Sequence, residues 1–146
     1  MIVLDVNVLV AAYVSGHQFH TAARSFLHAA LETGGVAAPD VVWSGFARVV
    51  THPDLMRPPA AWPDLRAFAD AIQRHPGYRS DVRGLTSPLN SLWTLCQTAD
   101  ARRNLVSDAY IAAVAIEHNA AVATWDADFA RFPVPVVRPD GPPAQP

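Results

Sequence analysis

A chain of 146 residues that is 51% hydrophobic and 16% charged is long enough for one buried core and too apolar to be a disordered segment. Its single cysteine, Cys96, excludes an internal disulfide and a cysteine-rich zinc cluster. The formal net charge of −2 speaks against broad electrostatic capture of nucleic acid, yet setting aside Asp5, Asp108, Asp126 and Asp128 changes −2 to +2 for the remaining surface.

The opening Met1 to Val10 is apolar, but it lacks a basic start and is interrupted by Asp5 and Asn7. It reads as a buried strand and not as an export signal, so the expected location is the cytoplasm. No run is long enough to span a bilayer. Ile2 to Asp5 is β-branched and leucine-rich, as a short buried strand requires. Asn7 to Tyr13 follows as one or two helical turns. From Phe19 to Leu31, the residues Ala22, Ala23, Phe26, Leu27 and Ala30 recur at helical spacing until Thr33-Gly34-Gly35 stops them. Val36 to Ala38 is a second strand. Pro39-Asp40 opens a helix to about Thr51, with Val42, Phe46, Val49 and Val50 on one face, and Pro53 ends it.

Pro58, Pro59 and Pro63 mark a loop, Asp64 to Gln73 a helix, and Tyr78 to Val82 a strand. Ser87-Pro88 is a helix start ahead of an apolar stripe of Leu89, Leu92, Trp93 and Cys96. Val106 to His118 is an alanine-rich helix, Ala121 to Thr124 a strand, Asp128 to Phe132 a short helix and Val134 to Val137 a last strand. Helices alternating with strands imply a mostly parallel sheet covered on both faces, a three-layer α/β/α sandwich.

Sites on such sheets form beyond the carboxyl ends of the strands. Asp5 closes the first strand, and Asp126 follows the strand that ends at Thr124. Asp108 opens the helix leading into that strand, with Ser107 as its N-cap. Three carboxylates distant in sequence are therefore expected on one rim. Like charges so placed raise one another's pKa unless a cation joins them, and hard oxygen ligands suit Mg2+ or Mn2+. Metal-activated water then attacks a phosphodiester. Each acid also has a plainer reading. Asp108 is a favourable first-turn acid on a helix dipole, Asp126 and Asp128 are turn and cap residues, and Asn7 caps a helix or orients Asp5. Asp5 on an apolar strand is the hardest to explain without a function.

At these residues the chain resembles a PIN domain, and specifically the VapC-type toxin ribonucleases of toxin–antitoxin pairs. Ile2-Val3-Leu4-Asp5-Val6-Asn7-Val8-Leu9 is similar to the family's opening strand and first acidic ligand. Ser107-Asp108-Ala109-Tyr110-Ile111-Ala112-Ala113 resembles the helix carrying another acid, and Thr124-Trp125-Asp126-Ala127-Asp128-Phe129 resembles the closing motif. The resemblance covers residues 1–138 and leaves 139–146 as a disordered tail. It implies Asp5, Asp108 and Asp126 as catalytic metal ligands for Mg2+ or Mn2+, and tRNA or ribosomal RNA as substrate. It also implies a cognate VapB-type antitoxin and a homodimer. Asn7, Arg102 and Arg103 are the expected substrate contacts, with Arg48, Arg79, Arg83, Trp43 and Trp125 as further candidates.

The chain departs from the family where a glutamate usually stands inside the third helix. It has Gly45 there, and its only glutamates are Glu32 and Glu117. That departure supports an alternative, a catalytically weakened module that binds RNA or antitoxin. A phosphotransferase with Asp5 as nucleophile is a more distant alternative, since Asn7 stands where its acid would be and the chain has no lysine.

Overall fold

A computed structural model describes residues 1–86 and 89–141. The chain runs β1 (Ile2–Leu4), α1 (Val6–Tyr13), α2 (His20–Thr33), β2 (Val36–Ala37), α3 (Asp40–Val50), α4 (Trp62–Gln73), α5 (Asn90–Thr98), α6 (Asn104–Glu117), β3 (Ala121–Ala123), a 3-10 turn (Ala127–Arg131) and β4 (Val136–Val137). The four strands form one parallel sheet in the order β2-β1-β3-β4. Neighbouring residues of a strand face opposite sides of a sheet. Val3 and Leu4, Val36 and Ala37, and Val122 and Ala123 are all buried, so helices cover both faces. This is the sandwich that strands alternating with helices in the sequence predict.

The strand order places a topological switch between β1 and β3. The chain leaves β1 for β2 on one side and later returns to β3 on the other, which opens a crevice at the strands' carboxyl ends. Val3 pairs with Val122 and Leu4 with Ala123, so Asp5 and Thr124 emerge side by side. Beneath them lie Val8, Leu9, Ile111, Val114 and Phe129, all buried. An aromatic cluster fastens α1, α3 and α4 together. The Tyr13 ring meets Phe46 at 5.6 Å and Phe68 at 5.3 Å, both edge to face. Gly34 and Gly35 end α2 at φ +82° and +85°, a backbone region that L side chains rarely enter.

Several local expectations change. Tyr78 to Val82 forms no strand, only a single bridge from Tyr78 to Val36. The Tyr78 hydroxyl instead accepts from Trp43 and donates to the Ala38 carbonyl, and the segment turns back to Asp40 through Arg83. The helix α4 begins at Trp62, because Pro63 is tolerated in a first turn that lacks N–H partners anyway. The helix α6 begins at Asn104 behind Arg103, whose φ is +55°, so Ser107 lies inside the helix and is not its cap. The expected helix start at Ser87-Pro88 and residues 142–146 of the expected tail lie outside the described residues. Among the described residues no helix is long and apolar enough to cross a membrane.

Candidate active site

The crevice over β1 and β3 is a cleft of about 300 Å3 lined by Asp5, Asn7, Asp108 and Asp126, with Arg48 and His17 among the other lining residues. Asp5 sits at its floor and is 5% exposed. It caps α1 itself: Oδ1 accepts the Val6 N–H at 2.6 Å. Oδ2 accepts from the Thr124 hydroxyl and from the Asn7 side-chain amide, each at 2.7 Å. Asn7 therefore orients the Asp5 carboxylate and does not cap the helix. Its Oδ1 is buried with no hydrogen-bond partner among the described residues.

Thr124 links the two strand ends. Its hydroxyl donates to Asp5 and accepts from the Asn7 amide at 2.8 Å and the Asp126 N–H at 2.9 Å, which uses its whole hydrogen-bonding capacity. Sequence reasoning gave Thr124 no role, since only the β1–β3 register brings it to Asp5. Asp126 uses Oδ1 to accept the Asp128 N–H at 2.8 Å, so it caps the 3-10 turn while also lining the cleft. Asp108, half-buried, enters from the first turns of α6.

Burial is the main cause that pushes the Asp5 carboxyl above its ordinary value, and the hydrogen bonds from Thr124 and Val6 offset part of that. Asp108 is pushed up to about 7, first by burial and then by the charges of Asp5, Asp126 and Asp128. A cluster of this kind is electrostatically incomplete, and a divalent cation is the partner that hard carboxylate oxygens would take. The unpartnered Asn7 Oδ1 adds one more oxygen of the right type. Among the described residues no three Asp, Glu, His or Cys side chains stand close enough together to ligate one ion jointly. The arrangement therefore suits an ion held by one or two carboxylates with water in its other positions, the usual manner of Mg2+.

The other expected contacts are dispersed. Arg102 pairs with Asp100 at 3.1 Å, and neither it nor Arg103 lines the cleft. Arg79 is held by Asp81 and Arg83 by Asp40. Trp43 donates to Tyr78 and packs on Phe46. Trp125 is stacked on Phe19 at 4.7 Å and donates to Asp140. Of the arginines considered, Arg48 is the one that reaches the cleft.

Gly45 has a packing reason. A Cβ at that position would lie 2.8 Å from Val6 Cγ2, so its absence lets α3 press against the start of α1 immediately after Asp5. The valine side chain is too stiff to yield cheaply.

Comparison with known proteins places the chain in a family. Ribonuclease VapC25 of Mycobacterium tuberculosis is 36% identical over 133 residues, covering 90% of this chain and 93% of that protein. Ribonuclease VapC31 of the same species is 35% identical over 133 residues, covering 90% and 93%. Ribonuclease VapC43 is 33% identical over 133 residues, covering 90% of each. The crystal structure of FitAcB from Neisseria gonorrhoeae shares the fold, with a TM-score of 0.64 at 20% identity over 95% of this chain and 98% of that one. The model of the PIN domain matches residues 2–135, and this chain belongs to the PIN domain family.

Proposed function

We propose that the chain is the toxin of a toxin–antitoxin pair, a cytoplasmic Mg2+- or Mn2+-dependent endoribonuclease that cuts tRNA or ribosomal RNA. The observation that carries this reading is the group of Asp5, Asp108 and Asp126 around one cleft at the sheet's switch point, none of them in an ion pair among the described residues. Relatives named VapC ribonucleases support it. One or two of Asp5, Asp108 and Asp126 would hold the ion, with water in its other positions, and the ion when bound would supply a Lewis acid and a water activated for attack on phosphorus. Thr124 and Asn7 hold the Asp5 carboxylate through Oδ2, while Oδ1 accepts only the Val6 N–H and keeps one acceptor site unused.

The alternative of a weakened binding module took its support from Gly45, and the contact with Val6 supplies a structural reason for that glycine. A VapB-type antitoxin and a second copy of the chain are the proposed partners. Exposed Leu55, Trp62 and Trp93 give apolar surface for such partners to cover. The test is cleavage of a mixed tRNA and ribosomal RNA pool by the antitoxin-free protein, beside Asp5→Ala. Metal-dependent cuts that disappear with EDTA and in the variant are expected. Intact RNA with the wild-type protein and either metal would overturn the reading.

A further inference from the structure

Six of the eleven arginines form ion pairs with nearby acids. Arg66 and Arg74 meet Asp70, Arg79 meets Asp81, Arg83 meets Asp40, Arg102 meets Asp100 and Arg138 meets Asp140. Arg131 donates to the Ala99 carbonyl. Arg48 differs. It lines the same cleft as three carboxylates, yet among the described residues it forms an ion pair with none of them. It stands in the last turn of α3, one turn after Gly45, with Val49 beside it and Val6 on the same cleft wall.

An acid cleft that must admit a polyanion needs both signs of charge kept apart. Carboxylates already paired with an arginine would be poor cation ligands, and an arginine already paired with a carboxylate would be a poor phosphate donor. Guanidinium offers a planar fork that matches two phosphate oxygens. We infer that Arg48 anchors a backbone phosphate of the RNA at the α3 wall, holding the strand across the carboxylates. It is a positioning residue, and the inference rests on the RNA-cleaving reading above. The competing role is local: a basic residue in a last turn also stabilises a helix through its dipole.

Salt dependence separates the two. Each phosphate contact to single-stranded RNA contributes about 0.7 to the slope of log affinity against log salt. Binding of a labelled single-stranded RNA oligonucleotide of random sequence is measured in EDTA, where metal-dependent turnover stops, across a salt series. Arg48→Ala is expected to weaken binding about tenfold, as loss of a charge-assisted contact does, and to flatten the slope by about 0.7. Arg48→Lys should recover the slope. Arg24→Ala, the same charge change on exposed α2, should keep it. With metal present, Arg48→Ala should raise KM far more than it lowers kcat. An unchanged slope in Arg48→Ala, or an equal loss in Arg24→Ala, overturns the inference. If that happens while the wild type still cleaves RNA, the assigned activity stands and the anchor alone fails. A wild-type protein that binds no RNA removes both.

Discussion

Asp5 and Asp81 are the same residue type in one chain, and their acidities move in opposite directions. Asp81 lies on the surface in a two-pronged contact with Arg79, at 2.9 and 2.7 Å, and hydrogen bonding from that guanidinium holds its carboxyl below the ordinary value. Asp140 behaves alike beside Arg138. Asp5 is buried, its partners are neutral, and its nearest charge is another carboxylate, so its acidity falls. Asp108 goes further in the same direction. The surface acids are complete without a ligand, whereas the cleft acids are stabilised by neutral donors only. That contrast is what the proposed divalent cation would relieve.

The sharpest test of this contrast replaces charge without shape. Asp5→Asn is expected to lower metal-dependent RNA cleavage by at least about a thousandfold, because the ligand oxygen that orders the site is neutralised. Its fold should survive. The Asn7 amide can turn so that its unpartnered Oδ1 accepts from the new side-chain amide. Thermal unfolding in EDTA at pH 8 should give a Tm equal to or above the wild type, since a buried charge is gone. A clearly lower Tm would make Asp5 a structural acid and end the comparison.

Next in size is the pH dependence of the metal-free protein. Asp108 titrates near 7 in the folded state, against an ordinary 3.8. Below about pH 4 both folded and unfolded chains hold this proton, and well above pH 7 neither does. Between these limits the folded chain keeps a proton that the unfolded chain has released, so stability falls as pH rises. In EDTA, Tm should drop by several degrees from pH 5 to pH 8, and Asp108→Asn should remove most of that drop. Mn2+ or Mg2+ should raise Tm more at pH 8 than at pH 5. A Tm that climbs across this range would contradict the raised acidity constant.

Much of the arrangement was legible beforehand, for identifiable reasons. Asp5 stood out because a carboxylate ending an apolar strand has no cheap structural role, and the alternation of elements placed Asp126 and Asp108 on the same rim. Thr124 was not legible, because a lone threonine gains meaning only from the register that sets Leu4 beside Ala123. The start of α6 was misplaced because Arg103 enters it at positive φ, where no glycine or asparagine signals the turn. Tyr78 to Val82 has strand composition but spends its polar group on Trp43 and Ala38. Arg102 and Arg103 looked well placed by sequence distance from Asp108, while Arg48, sixty residues away from it, is the arginine that lines the cleft.

Gly45 gives a smaller effect on the same wall. Gly45→Ala gains about 1 kcal/mol of helix propensity and incurs about 1–3 kcal/mol of overpacking against Val6, for a net loss of about 1 kcal/mol. Chemical denaturation measures it directly. In a Val6→Ala background the clash is gone and the same substitution should become neutral or stabilising. An equal loss in both backgrounds would assign the glycine's value to something other than its contact with Val6.

The smallest effect is expected at the surface, and it decides what the contrast means. Asp81→Asn breaks a two-pronged ion pair with better geometry than anything in the cleft. Both partners are exposed, so solvent and salt already screen the attraction, and the urea midpoint at neutral pH should stay close to that of the wild type. RNA cleavage should be unaltered. Urea denaturation of Asp81→Asn and Asp108→Asn side by side at pH 8 in EDTA gives the comparison directly. The pair with the short distances should matter little, and the unpaired acid should gain stability on losing its charge. If Asp81→Asn instead proved the more consequential change, ion pairing would be supporting the fold, and the absence of arginine partners at Asp5 and Asp108 would lose its functional reading.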